Sequence, residues 1–382
     1  MKVNFYGRCH GEAESRYVNN CLSSDLETDG FIMNMVINKW NMLFPGTNPL
    51  FTTSCTTALE TAVGCLGLKQ GDEVILPSFN FPSAANAVLL HGGVPVFCDI
   101  DQETQNISVR DMARKIGPRT RAVVAVHYAG VSCPMEELLA AAGDAGIALI
   151  EDAAQGIGAF YTGRDDQRHA LGTMGDIGAI SFHHTKNLTC GEGGVLMTGD
   201  QKLYEKAGQY RLHGTNRSMY LRGEVDRYTW NMPGSCTAMG ELPAAMLASQ
   251  LEILERVTLK RREIAQGYRE RLTALDKGGT IRLMGIPKYA GYNGHIFYLR
   301  FEHERQRNLV REFLLKNGVE CRTHYVPLHM SPQGAAMGYK EQDLKESAKC
   351  SCTLLRLPIH GLMTMEQVEY TTDMVIRACT GH

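Results

Sequence analysis

Short apolar runs alternate with helical patterns through the first two-thirds of the chain. EVILPS (73–78), VPVFCDI (94–100), RAVVAVH (121–127), IALIED (147–152) and GAISF (178–182) read as strands. Most are apolar without alternation, as expected of strands covered on both faces. Helical patterns sit between them, PMEELLAAAGDAG after the third being an example. This rhythm predicts an α/β fold with a mostly parallel central sheet flanked by helices. A long helix with a leucine stripe is expected at about 245–275. The order then changes: HIFYLRF (295–301) reads as a strand, ERQRNLVREFLLKNG as a helix, VECRTHYV as a strand and EQVEYTTDMVIRAC as a closing helix. A large domain over 1–250 and a smaller α+β domain over 251–382 are therefore expected.

Composition narrows the class of function. Of 382 residues, 44% are apolar and 21% charged, with a net charge of −2. That balance favours neither nucleic acid nor an acidic membrane surface as partner. No apolar run approaches the ~20 residues of a membrane helix, and MKVNFYGRCHGE has no secretion-type apolar core. The 12 cysteines are scattered without a CxxC pair, so they read as reduced thiols and a cytoplasmic location is expected.

In open α/β sheets, ligands gather at the carboxyl ends of the strands. Asp152 ends IALIED, His127 ends AVVAV, Phe79 to Phe81 follow EVILPS, and Ser181 and Lys186 follow GAISF. TTSCTTALE (52–60) runs into a helix, with Thr57 and Glu60 at capping-box spacing. Its free N–H groups and hydroxyls suit a phosphate. Pyridoxal phosphate needs a lysine, a carboxylate for its ring nitrogen, a phosphate cradle and a wall against its ring. Lys186, Asp152, the 54–56 turn with Ser181, and Phe81 are of the right types. Zinc on His183, His184 and Cys190 is not expected, because adjacent histidines are taken to point apart and no fourth ligand has metal-site spacing. GEGG (191–194) lacks the Lys-Ser/Thr of a phosphate-binding P-loop.

PSFNFPSAANA (77–87), VHYAG (126–130), EDAAQGIGA (151–159), LGTMGDIGAISFHHTKNLTCGEGG (171–194) and THYVPLH (323–329) together resemble the DegT/DnrJ/EryC1/StrS sugar aminotransferases. The resemblance implies the type I pyridoxal-phosphate aminotransferase fold. It makes Lys186 the Schiff-base lysine and Asp152 the partner of the pyridinium nitrogen. Gln155 then lies near the ring, Phe81 stacks on it, and Cys55, Thr56 and Ser181 hold the phosphate. Phe31, His183, Arg217, His324, Tyr325 and His329 are implied as substrate contacts.

Within the family, HGTNRSMYLRGEVDRYTW (213–230) is similar to TDP-4-oxo-6-deoxy-D-glucose aminotransferases. SFH followed by KN and EGG is typical of amination at C4, where C3 enzymes carry a tyrosine and proline before the lysine. The implied reaction takes an amino group from L-glutamate to a TDP-keto-sugar by ping-pong turnover, in a homodimer with its active site at the interface. The alternatives are a C3 aminotransferase, a dehydratase of the same fold, or a non-catalytic pyridoxal-phosphate sensor. Two departures stand out. GSCTAM (234–239) puts Cys236 and Ala238 where members carry an Asn that reaches the neighbouring subunit's phosphate, and an Arg. Pro243 replaces a customary glutamine and is expected to disturb a helix start.

Overall fold

The computed structural model describes residues 1–381. Thirteen strands among the described residues form three sheets. They are β1 (Leu50–Thr52), β2 (Glu73–Pro77), β3 (Val94–Cys98), β4 (Thr120–Val126), β5 (Ala148–Asp152), β6 (Phe160–Thr162), β7 (Arg168–Ala170), β8 (Ile177–Ser181), β9 (Gly194–Met197), β10 (Arg282–Leu283), β11 (Ala290–Gly291), β12 (Phe297–Arg300) and β13 (Leu354–Leu357). The main sheet runs β1-β9-β8-β5-β4-β2-β3. Its five strands β3, β2, β4, β5 and β8 are parallel, and β9 and β1 add an antiparallel edge. All five strands expected in this region form.

Alternation along these strands explains their unbroken apolarity. Val74 and Leu76 pack under helices Cys55–Leu66 and Ser83–Leu90, whereas Ile75 packs on the other face. Val123 and Leu149 share that second face with residues of helices Phe31–Leu43, Met135–Ala145 and Glu241–Glu252. Side chains alternate across a pleated strand, so a strand covered on both faces needs apolar residues at every position. A third core gathers Tyr268, Leu272, Phe297, Leu299, Leu355, Leu357 and Val375, and it includes Val3 from the amino terminus. There the 3-stranded sheet β10-β12-β13 packs with helices Leu254–Lys277, Glu304–Lys316 and Met365–Thr380.

Four local readings change. The long helix is two, Glu241–Glu252 and Leu254–Lys277, parted at Ile253. VECRTHYV forms no strand; Val319 and Arg322 make isolated bridges to Val3 and Arg356. The capping box lies one turn earlier than Thr57 and Glu60: Ser54 caps and Thr57 answers from the third helical position. Pro243 does not disturb its helix, because it stands third from the start, where the backbone N–H has no intrahelical acceptor to lose.

At the carboxyl end of β5, consecutive side chains face opposite ways. Glu151 turns into the core and is fully buried. It accepts from the backbone N–H groups of Met174 and Gly175 (both 2.6 Å) and Gly172 (2.9 Å), and from His127 Nε2 (2.8 Å). The Cys133 N–H donates to His127 Nδ1 at 3.1 Å, so Nδ1 carries the lone pair and Nε2 the proton. Burial opposes the charge on Glu151, but these donors outweigh it and hold the carboxyl below the ordinary glutamate range. Glu151→Gln places an NH₂ against N–H donors. It is expected to cost about 3 kcal/mol in urea unfolding, the range for breaking a buried charge-assisted network; a loss below ~0.5 kcal/mol contradicts this role for the carboxylate.

Candidate active site

A cavity of about 680 Å³ opens at the carboxyl ends of β2, β5 and β8 and is closed over by Phe5 to Arg8 and by residues of the carboxy-terminal third. Lys186, Asp152, Cys55, Thr56, Phe81, Gln155, Ser181, His183, His324 and Tyr325 all line it. Phe31, Arg217 and His329 do not. Phe31 is 75% exposed at the start of its helix. Arg217 borders a separate surface depression with Tyr220 and Tyr228. His329 is buried, with its ring bonded to Ser78 Oγ (2.7 Å) and the Glu341 carbonyl (3.3 Å) rather than facing the cavity.

Local chemistry places each group. Ser54 spends its side chain on Thr57 N–H (3.1 Å), while Thr57 Oγ1 takes the Ser54 N–H (3.1 Å). The N–H groups of Cys55 and Thr56, the first two of the helix, are left without acceptors among the described residues. Thr56 Oγ1 and Ser83 Oγ lie 2.7 Å apart, joining this helix start to that of Ser83–Leu90. Gly194 lets β9 press on the same turn: a Cβ there would stand 2.5 Å from the Cys55 nitrogen. The result is an anion cradle of free N–H groups, hydroxyls and the positive end of a helix.

Asp152 accepts from the Ala154 N–H (3.1 Å). Burial pushes its carboxyl up; that N–H, the Lys186 and His127 positions and the Asn80 amide oppose the shift. Asn80 Nδ2 is itself buried without a well-formed hydrogen bond. A protonated ring nitrogen is the donor such a carboxylate lacks. Burial also lowers the Lys186 ammonium pKa, against the pull of Cys55 and Asp152, and Arg356 lowers it further. Gln155 Oε1 accepts from the Ala129 N–H (2.7 Å), holding Ala129 at φ 61°. Phe81 is 56% exposed along the cavity wall, near the Tyr325 ring (6.4 Å between centroids). The donors, carboxylate, lysine and aromatic wall thus fit pyridoxal phosphate.

Sequence reasoning missed several lining residues: Asn80, Ser83, Arg261, His295 and Arg356. Asn80 and Ser83 flank the singled-out Phe81 and were within reach of the motif. The others come from distant segments and carry no local signal. The two histidines before Lys186 do not point apart as expected. Their ring centroids are 4.0 Å apart and, with Glu192, they gather ligand atoms within 4.8 Å of one another. Cys190 turns into the core instead.

Residues 9–376 match the model of the DegT/DnrJ/EryC1/StrS aminotransferase family. The spore coat polysaccharide biosynthesis protein SpsC of Bacillus subtilis is 30% identical over 96% of this chain and 94% of its own. The GDP-perosamine synthase of Escherichia coli O157:H7 is 28% identical over 95% and 94%. The crystal structure of the aminotransferase TlmJ from Streptoalloteichus hindustanus superposes with a TM-score of 0.89 at 28% identity, covering 100% of both chains.

Two buried imidazoles give the cavity a pH signature. Burial first, then the Lys186 and Arg356 charges, push His295 and His324 well below the ordinary histidine range. Below about pH 6.5 the unfolded chain protonates them and the folded chain does not. The unfolded state then binds more protons, so stability falls as pH drops, by up to ~1.4 kcal/mol per pH unit for each ring. The urea midpoint is expected to be lower at about pH 5.5 than at 7.5, with a flatter slope in His295→Gln. A midpoint that rises on acidification contradicts the burial of neutral rings.

Proposed function

Because the chain belongs to the DegT/DnrJ/EryC1/StrS aminotransferase family, we propose that it moves an amino group from L-glutamate to C4 of a nucleotide-linked 4-keto-6-deoxyhexose, TDP-4-oxo-6-deoxy-D-glucose. The chain is a sugar aminotransferase dependent on pyridoxal phosphate. One observation carries the assignment of roles: Lys186 and Asp152, from beyond β8 and from the end of the adjacent β5, face one cavity beside the free N–H groups of Cys55 and Thr56. The choice of C4 is supported by the SFHHTKN segment around the lysine, and the choice of a TDP-sugar by residues 213–230.

When bound, the cofactor supplies an electron sink for the carbon that gains or loses the amino group. Cys55 and Thr56 N–H groups with Thr56, Ser83 and Ser181 hydroxyls would hold its phosphate. Phe81 would wall its ring, and Lys186 Nζ would hold it covalently. The Asp152 carboxylate keeps the ring nitrogen protonated, since an opposite charge within reach favours the charged form. As a free amine, Lys186 would move a proton at the substrate carbon. Its lowered pKa raises the fraction of free base near neutral pH.

We propose a homodimer contact that uses the exposed apolar residues Tyr228 (52% exposed), Trp230 (72%), Leu242 (40%) and Phe31 (75%). Large apolar side chains left exposed are what an association surface would cover. Phe31 and Arg217, both outside their own cavity, then reach the partner's. Cys236 is exposed on the same segment. A thiol is a poor donor, so the phosphate relies on the groups within this chain. Among the described residues no helix is long and apolar enough to cross a membrane.

Lys186→Ala is expected to keep the fold and lose turnover by several orders of magnitude, because carrier and base vanish together; near wild-type turnover removes the assignment. Asp152→Asn should retain bound cofactor yet slow the glutamate half-reaction severely, and an unimpaired half-reaction takes Asp152 out of that role. Incubation with glutamate and either TDP- or GDP-4-oxo-6-deoxyhexose, with the product read by NMR, tests the substrate. Amination at C4 of the TDP-sugar is expected. Amination at C3, or preference for the GDP-sugar, overturns that choice. Light scattering should give twice the chain mass, and a fully active monomer contradicts the interface.

A further inference from the structure

Four cationic side chains line the cavity: Arg8, Lys186, Arg261 and Arg356. Arg8 is paired with Glu14. Arg261 gives Nε to the Gly294 carbonyl (3.0 Å) and a terminal nitrogen to that of His295 (2.9 Å). Lys186 is assigned to the cofactor. Arg356 is the remaining one. Its Nε is buried without a hydrogen-bond partner, and among the described residues no carboxylate pairs with its guanidinium.

The fold holds this side chain in place. Arg356 sits on β13, where its neighbours Leu355 and Leu357 are fully buried in the core and it faces the opposite way. Its backbone is held on both sides, in register with Tyr298 of β12 and by a bridge to Arg322 (N–H to carbonyl 2.8 and 3.2 Å). Its guanidinium lies 5.1 Å from the centre of the Phe5 ring, which also receives Arg322 at 5.4 Å. Phe5 is in turn tied down by its N–H to Glu320 (2.8 Å). A guanidinium fixed in this way, with its Nε buried and left without an acceptor, is a site for an anion.

We propose that Arg356 binds the α-carboxylate of the amino donor, acting as the residue that selects an amino acid for the first half-reaction. This rests on the aminotransferase reading above. The position decides between the two anions that must visit the cavity. An amino acid's carboxylate is bonded directly to the carbon on which Lys186 acts. The diphosphate of a nucleotide sugar hangs from C1, across the hexose ring from C4. Arg356 lines the same cavity as Lys186, His324 and Tyr325, and its backbone pairs with Arg322, two residues before His324, which suits the nearer anion.

The test compares half-reactions of the holoenzyme. L-Glutamate is mixed with the pyridoxal form and the loss of visible absorbance is followed; TDP-4-oxo-6-deoxyglucose is mixed with the aminated form and its return is followed. Arg356→Gln is expected to raise the glutamate concentration at half-saturation by about 10- to 100-fold, the worth of a charge-assisted pair. Half-saturation by the sugar should stay within about threefold, below the effect of any lost ion pair. Arg356→Lys, which keeps the charge and loses the two-pronged geometry, should fall between. It carries the test if the glutamine variant does not fold. Glutarate, a dicarboxylate without an amine, should compete with glutamate in the wild type and weakly in Arg356→Gln. An unchanged glutamate half-saturation, or a shift for the sugar as large as that for glutamate, overturns the proposal. If the wild type responds to glutamate and Arg356→Gln responds equally, only the donor site falls. If the wild type responds to no amino acid, the aminotransferase assignment falls with it.

Discussion

Glu151 is an ionised carboxylate with no exposed surface, held by three backbone N–H groups and one imidazole. Such a charge survives burial only if its lone pairs are filled. Filling them fixes the turn 172–175 that leads into β8, and it fixes His127 at the end of β4. Asp152, the next residue on β5, is thereby aimed into the cavity from an immobile strand. Ser181 and Lys186 leave β8 beside it. The placing of base, carboxylate and phosphate cradle is thus supported by a network behind them, whose His127 N–H also bonds the Asp152 carbonyl (3.1 Å).

The cavity takes its reactivity from the same exclusion of water. Burial lowers the pKa of Lys186, raises that of Asp152 and keeps His295 and His324 neutral. Each shift favours the neutral form of its group, and an opposite charge or donor brought by a ligand offsets it. A cofactor ring nitrogen for Asp152 and a phosphate for the Cys55 and Thr56 N–H groups are such completions. The helix start that holds the phosphate is shaped by Ser54, which removes its own hydroxyl from the site, and by Gly194, whose missing Cβ lets β9 approach.

Much of this was legible in the sequence. Strands buried on both faces declare themselves as unbroken apolar runs, and residues at their ends point to the site. What failed did so for physical reasons. VECRTHYV has strand-like composition, but only single bridges form there because its residues turn to line the cavity. The leucine stripe continues through Ile253, so periodicity does not see the break between two helices. The capping box was displaced because Ser54 and Thr57 compete with Thr57 and Glu60 for the same spacing. His329 was drawn in by its motif, yet its ring is spent on Ser78. Arg356 has no motif; it matters through the Phe5 contact and a neighbouring lysine 170 positions earlier in the chain, numbers 356 and 186.

The central claim is that Lys186 is the residue joined to the cofactor. Borohydride reduction of the holoenzyme fixes the lysine–cofactor link, and proteolysis with mass spectrometry finds the peptide that carries it. The account predicts a pyridoxyl group on the peptide containing Lys186 and on no other lysine. A group found on another lysine, or none on the Lys186 peptide of a fully loaded enzyme, contradicts it.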